Sequence, residues 1–301
     1  MNQKPLRQNS ISVILPAYNE ADSIGEEIVQ IQKVLKESEI SYEFIVVDDG
    51  STDETSKIAQ SKGVKVVRHA KNRGVGAGRK TGILTAQNEI IVTTDADGTY
   101  PQKPILEMLQ LILEHDYDMV IGARVKEKGT FYWLRLPAKF LIRKLASYLS
   151  QEKIPDLNSG LRIFKKSIAL KYFYLLPDSH SWESTITLAF LCNHQRVYFH
   201  PIDYFKRSGG TSSFHPIKDT YNYFSLVIRT VMYFNPLRIF LPLFVFVLLS
   251  GCTKTIYDWL VYQNIGGFDV MLILSSLIIL LTGLLADLMV VLHRKLDHPS
   301  F

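Results

Sequence analysis

Two stretches of the chain place carboxylates directly after short apolar runs. Val46-Val47-Asp48-Asp49-Gly50-Ser51-Thr52-Asp53 follows one run, and Thr93-Thr94-Asp95-Ala96-Asp97-Gly98 follows another. Acids just past the carboxyl ends of strands face the crevice in which open α/β sheets bind ligands. An Asp-x-Asp pair supplies hard oxygen ligands suited to Mg²⁺ or Mn²⁺, and such a cation neutralises phosphate charge. A nucleotide-diphosphate site is therefore the first expectation. The same acids could also simply end a strand, since Asp-Gly is turn chemistry.

The elements that must hold these acids are legible as an alternation. Ile11–Leu15, ending at Pro16, reads as a buried strand, and Ile24, Ile28, Ile31 and Leu35 recur at helical spacing after it. Strands are expected at 44–47, 64–67, 89–94 and 119–123. Helices are expected from Ser51 or Thr52 to Ser61, over 79–87 and over 105–115. Such alternation predicts a mostly parallel sheet covered by helices on both faces. Further on, 161–164 and 197–204 read as strands and 184–192 as a helix. Residues 133–150 are amphipathic and basic.

Gly74-Val75-Gly76-Ala77-Gly78-Arg79 invites comparison with a dinucleotide fingerprint, but Arg79 stands where the third glycine belongs. The stretch suits either anion contact at the start of a helix or a flexible loop ahead of one.

The C-terminal part changes character. Residues 217–234 are aromatic-rich and amphipathic, as expected of a helix lying in a membrane interface. Residues 239–253 carry no charge, and the apolar run extends to Val261 if Lys254 snorkels or pairs with Asp258 at i,i+4. Residues 270–286 are uncharged, with apolar character continuing to Leu292. About 20 such residues cross a bilayer. Lys206, Arg207, Lys218, Arg229 and Arg238 precede the first span, and Arg294 and Lys295 follow the second, which predicts cytoplasmic ends joined by a short outer loop near Gly266-Gly267.

Composition agrees. Of 301 residues, 47% are hydrophobic and the formal charge is +5, with a mean hydropathy of +0.07. The basic residues are scattered, which argues against nucleic acid and fits anionic lipid head groups. The two cysteines, Cys192 and Cys252, offer no zinc spacing and no disulfide framework, so a reducing cytosol is expected for most of the chain. The polar N-terminus predicts no cleavable signal peptide.

Pro16-Ala17-Tyr18-Asn19-Glu20, Val47-Asp48-Asp49-Gly50-Ser51-Thr52-Asp53 and Asp95-Ala96-Asp97-Gly98, in this order, resemble family 2 glycosyltransferases of the GT-A fold. Asp156-Leu157-Asn158-Ser159-Gly160-Leu161-Arg162 and Arg207-Ser208-Gly209-Gly210-Thr211-Ser212 resemble the branch of dolichyl-phosphate mannose synthases and bacterial polyprenyl-phosphate glycosyltransferases. The resemblance implies an α/β GT-A catalytic domain over 1–213, an interfacial helix over 214–236 and a two-helix transmembrane anchor over 237–301. It implies a nucleotide pocket lined by Pro16, Ala17, Tyr18, Glu20, Asp48, Asp49, Asp95 and Ala96. Glu20 could equally be a first-turn acid, and Asp53 could serve the helix dipole. Asp97 is the best metal ligand; Asp95 would reach the metal through water, or contact the ribose and sugar.

The resemblance points to Arg124, Arg135 and Arg207, with Ser212, as binders of the donor and acceptor phosphates, since guanidinium forks suit phosphate. Ser213 stands where the family often has Lys. Asp95 and Asp156 are the candidate catalytic residues, Asp156 either deprotonating or orienting the acceptor. Trp182 and Glu183 fall near the expected sugar pocket without an assigned role.

The expected activity is inverting transfer from a UDP- or GDP-sugar to a polyprenyl phosphate by an integral membrane enzyme with a cytoplasmic catalytic domain. A bacterial inner membrane is favoured over the endoplasmic reticulum, and a homo-oligomer is left open. A processive polysaccharide synthase would share the first three motifs, but no Arg-Trp pair is present. A non-catalytic nucleotide-binding scaffold is opposed by the intact acids, and a nicotinamide dehydrogenase by the broken glycine pattern.

Overall fold

The computed structural model describes residues 10–38, 40–127, 144, 146–148, 151–179, 181–205, 228 and 232–297. Its strands are β1 (Ile11–Ala17), β2 (Tyr42–Asp48), β3 (Lys65–Arg68), β4 (Ile90–Thr93), β5 (Met119–Glu127), β6 (Arg162–Lys165) and β7 (Val197–Tyr204). They form one sheet in the order β3-β2-β1-β4-β6-β5-β7. β1 runs parallel to β2 and β4, β2 to β3, and β5 to β7. β6 is antiparallel to both neighbours, β4 and β5. Arg162 at the start of β6 pairs with Thr93 at the end of β4 and with Ile121 of β5. The reversed strand therefore delivers residues 156–161 to the carboxyl ends of parallel strands, beside the acids that follow β4.

The helices are α1 (Ile24–Glu37), α2 (Thr55–Ser61), α3 (Val75–Thr85), α4 (Pro104–Glu114), α5 (Lys166–Lys171), α6 (Trp182–Cys192), α7 (Leu237–Tyr262) and α8 (Gly267–Asp297). Side-chain alternation along the strands splits the core in two. Ile14 points to the layer holding Ile83 of α3 and Ile186 and Phe190 of α6. Val13 and Leu15 point to the opposite layer, with α1 and α4. Ile24, Ile28, Ile31 and Leu35 of α1 are fully buried, each contributing about 1.5–3 kcal/mol of apolar burial. Both faces are covered, as expected.

Element boundaries differ where tertiary contacts override local preference. α3 begins at Val75, four residues before the expected start, so the glycine stretch opens the helix, with Gly74 as its N-cap and Gly76 and Gly78 inside it. A Cβ at Gly82 would collide with Ile14, and one at Gly76 with the backbone of residues 177–179. The helix tolerates poor formers because only they let it approach β1 and that loop so closely. α2 begins at Thr55, later than expected. Residues 51–53 are engaged elsewhere: Ser51 N–H donates to Asp48, Thr52 N–H to Asn19, and Asp53 accepts from Ala21 N–H. β5 runs past the expected end at Ala123 because β7 pairs with it as far as Glu127.

α7 and α8 form an antiparallel-sized hairpin of 26 and 31 residues. At ~1.5 Å per residue, α7 is ~39 Å long, enough for the ~30 Å hydrocarbon layer. Phe246, Leu260 and Met289 are 69%, 74% and 71% exposed. Core helices of a water-soluble domain would bury such side chains. Gly283 admits Phe240 and Gly251 admits Leu272 between the helices, the close approach typical of spans. Lys254 pairs with Asp258, as expected, and also with Asp269 Oδ1 at 2.7 Å. Neither Cys192 nor Cys252 is in a disulfide. The basic 133–150 segment and the 214–236 segment lie almost wholly outside the described residues.

Candidate active site

The strand ends bring the expected acids to one edge of the sheet, but give them different tasks. Asp48 closes β2 and is fully buried. Its Oδ1 accepts from Ser51 N–H at 2.8 Å, while Oδ2 lies 3.3 Å from Arg68 Nε and has no hydrogen-bond partner among the described residues. Asp49 accepts from the N–H groups of Arg73 and Gly74, the latter at 2.7 Å, and meets His69 Nδ1 at 2.6 Å. His69 Nε2 in turn meets Thr81 at 2.9 Å. Asp49 is thus committed to fastening the loop before α3. Of the pair, Asp48 keeps an oxygen that is ion-paired with Arg68 but accepts no hydrogen bond among the described residues, and a ligand donor can complete it.

Asp95 stands two residues beyond β4 and is one-third exposed. Its Oδ1 accepts from Arg79 Nη2 at 2.6 Å. The carboxylate packs on Gly160, where a Cβ would come within 2.5 Å of Oδ2 and 2.8 Å of Oδ1. Asp97 Oδ1 accepts from Thr99 Oγ1 at 2.6 Å, and Gly98 turns the chain with a φ of 70°. Arg79 is wholly buried in α3 and forms a second ion pair with Glu183 of α6. Burial opposes its charge, but Glu183 and Asp95 outweigh that and hold its pKa above the ordinary value. Burial also raises the Glu183 carboxyl, and Arg79 pulls it back. Arg162, also fully buried, is pushed down by burial to about 10. It donates to the carbonyl of Glu183 at 3.0 Å and to Thr187 Oγ1 at 3.1 Å. The Trp182 ring lies 5.4 Å from the Arg79 guanidinium and 5.7 Å from that of Arg162.

Arg124 and Asp156, expected to meet the acceptor separately, meet each other. Arg124 Nε donates to Asp156 Oδ2 at 2.6 Å and Nη2 to Oδ1 at 2.9 Å. Burial alone would raise the Asp156 carboxyl, yet the Arg124 fork and its charge hold it below the usual carboxylate range. The guanidinium also lies 5.1 Å from the Tyr204 ring, which contacts Tyr100 edge-on. Tyr100 Oη accepts from Gly160 N–H at 2.7 Å, and Thr93 Oγ1 donates to the Gly160 carbonyl at 3.2 Å. The loop carrying Asp156 is thereby clamped against β4.

Pro16 and Ala17 are buried at the end of β1, and Tyr18 is 44% exposed beside them. The N–H of Glu20 donates to Thr55, and Ala96 accepts from Ser23. These residues surround the same strand ends. Arg135, Arg207 and Ser212 lie outside the described residues. Sequence reasoning left Arg79 without a definite partner and missed Tyr100 altogether. Glu183, the one charge on its helix Trp182–Cys192, was the available signal, since such charges are buried only when paired.

The donor set fits a divalent cation shared with a ligand. Among the described residues no three acids or imidazoles cluster closely enough to cage a metal. Two carboxylates, with Oδ2 of the one-third-exposed Asp95 accepting no hydrogen bond among the described residues, supply the share that Mg²⁺ or Mn²⁺ takes from a protein when phosphates and water provide the rest.

The profile of glycosyl transferase family 2 matches residues 12–173. The chain belongs to that family. The profile of the GtrB C-terminal hairpin matches 235–292, the stretch that holds α7 and α8. A dolichyl-phosphate hexose transferase of Haloferax volcanii is 29% identical over 161 residues, covering 53% of this chain and 68% of that one. Glycosyltransferase AglJ of the same organism is 26% identical over 302 residues, covering 95% and 96%. A crystal structure of glucosyl-3-phosphoglycerate synthase from Mycobacterium tuberculosis, with Mn²⁺, UDP-glucose and phosphoglyceric acid, superposes with a TM-score of 0.60. It has 17% identity and covers 76% of this chain and 82% of that one, so the transferase shares its fold.

Proposed function

We propose that this glycosyltransferase moves a sugar from a UDP- or GDP-sugar to a polyprenyl phosphate, with inversion at the anomeric carbon. The observation that carries the reading is the adjacency of two acids: Asp95 abuts Gly160, in the loop that holds Asp156 against Arg124. A donor-side carboxylate and an acceptor-side ion pair thus share one edge of the sheet. The named substrate of the dolichyl-phosphate relative supports the acceptor class. The Mn²⁺ and UDP-glucose of the structural neighbour support the donor class.

In this reading Asp48 Oδ2 accepts from the base or ribose, with Pro16, Ala17, Tyr18 and Glu20 around the nucleoside. Asp97 and Asp95 hold the cation, which when bound neutralises charge on the departing diphosphate. Arg124 offers its charge to the acceptor phosphate, and Asp156 orients it. A phosphate monoester has its second pKa at about 6, so at neutral pH its oxygen needs little deprotonation. That oxygen attacks the sugar C1 in line as the bond from C1 to the diphosphate oxygen breaks, releasing the nucleoside diphosphate. Arg135, Arg207 and Ser212 complete the phosphate site.

The catalytic domain, 1–213, faces the cytoplasm of a bacterial inner membrane, with 214–236 in the interface and 237–301 as anchor. The spans confine the site to the surface that holds its lipid. The test is a donor screen on membranes carrying the full chain, with radiolabelled UDP- and GDP-sugars and Mg²⁺ or Mn²⁺. Label should enter the organic-extractable lipid with one donor. No incorporation from any donor with either metal would overturn the reading.

A further inference from the structure

We propose that Glu183 is a positioning residue that acts through Arg79 to make Asp95 present a single oxygen, Oδ2, to the donor site. This rests on the donor-site reading above. Along the chain Asp95–Arg79–Glu183 the side chains are 33%, 1% and 9% exposed, so only Asp95 reaches the crevice and the charges behind it lie in the core. Arg79 spends Nη2 on Asp95 Oδ1, at 2.6 Å, and Nη1 on Glu183 Oε1. Glu183 is itself held at its backbone, because Arg162 donates to its carbonyl at 3.0 Å. Trp182 lies within cation–π range of both guanidinium groups. Two buried cations are thus balanced by Glu183 and Asp95, and neither acid can be removed without leaving charge unpaired.

The geometry has a consequence for the metal. A guanidinium free of other ties embraces a carboxylate with two parallel bonds, taking both oxygens. Glu183 prevents this by holding the other arm of the fork. Asp95 then keeps Oδ2 clear of the guanidinium on a side chain that is one-third exposed, where a cation or a sugar hydroxyl can reach it. Without Glu183 the fork turns onto Asp95 and withdraws that oxygen. A lysine at position 79 could not serve, since a point charge does not hold two acids in one plane.

The experiment uses the full chain in lipid nanodiscs. Mn²⁺ binding in the presence of UDP or GDP is followed by electron paramagnetic resonance for wild type, Glu183→Gln, Glu183→Asp, Arg79→Gln and the double variant Arg79→Gln/Glu183→Gln. Glu183→Gln should weaken Mn²⁺ binding by about tenfold or more, the size seen when the partner of a metal-holding group is removed. That loss should vanish in the Arg79→Gln background. Glu183→Asp keeps the buried charges balanced and shortens the reach, so it should fold and still weaken binding. Donor KM should rise in these variants while acceptor KM stays constant. Unchanged Mn²⁺ affinity in Glu183→Asp, or equal losses with and without Arg79, would overturn the proposal. Wild type binding no Mn²⁺ with either nucleotide would sink the donor-site reading instead. The positioning claim would then be decided by nuclear magnetic resonance of the Arg79 guanidinium. Held at both ends, it should show separate Nη signals in wild type that merge in Glu183→Asp; merged signals in wild type would refute it.

Discussion

Arg124 grips Asp156 with both arms of its guanidinium, Nε to Oδ2 at 2.6 Å and Nη2 to Oδ1 at 2.9 Å. Neither residue is then a free agent. The acid is held ionised by the base, and the base is aimed by the acid. Removing the cation leaves a buried carboxylate unpaired, so Arg124→Ala should cost about 3–5 kcal/mol of stability. Thermal unfolding of the full chain checks this, and an unshifted midpoint would show the pair to be dispensable.

The same pairing sets a pH dependence. The folded pKa of Asp156 is depressed. Its contribution to stability is therefore present above the unfolded value of about 3.9 and is lost as pH falls through the folded value. Asp156 stays ionised across the neutral range and gives no acid limb to the transfer rate. Any limb near pH 6 should belong to the acceptor phosphate, at about its second pKa, and should not move in Asp156→Glu. A limb that follows the substitution would make Asp156 the titrating base.

Asp97→Ala should lower transfer by on the order of 10²-fold, comparable to losing one preorganised charge-stabilising group. Added EDTA should abolish wild-type transfer and Mn²⁺ restore it. Full activity of Asp97→Ala in EDTA would remove the cation from the mechanism.

Gly160→Ala places a Cβ 2.5 Å from Asp95 Oδ2. Asp95 cannot retreat, because Arg79 holds its other oxygen. Overpacking of this kind costs about 1–3 kcal/mol, and here it falls on the donor side. Donor KM should rise well beyond acceptor KM in steady-state kinetics. Equal effects on both would mean the loop has moved as a whole.

Glu27 on α1 is buried, with its pKa raised to about 7 chiefly by that burial, while Gln102 lowers it and Asp97 and Asp95 add to the rise. A carboxyl raised in the folded state binds more protons there than when unfolded, so stability falls as pH climbs from about 4.5 to 7. Glu27→Gln should raise the unfolding midpoint at pH 8 and leave it nearly unchanged at pH 4. A uniform shift at both would contradict the titration.

Much of this architecture follows from patterns local in the chain. The apolar runs of β1, β2 and β4, the 3.6-residue recurrence of Ile24, Ile28, Ile31 and Leu35, and the uncharged lengths of α7 and α8 read directly, since burial and periodicity are written in neighbouring residues. So do the acids after β2 and β4. Partnership does not read this way. Asp48 and Asp49 are adjacent and chemically alike, yet only the approach of His69 and the loop before α3 commits Asp49, while an oxygen of Asp48 accepts no hydrogen bond among the described residues. Arg124 and Asp156 are joined because β6 enters antiparallel between β4 and β5 and carries the 156–161 loop to their carboxyl ends. Arg79 and Glu183 sit on different helices, brought together only where α3 presses on the sheet through its glycines. Local sequence supplies charges and periodicities. Which charges meet depends on long-range strand order and close helix approach, and no short stretch of chain encodes either.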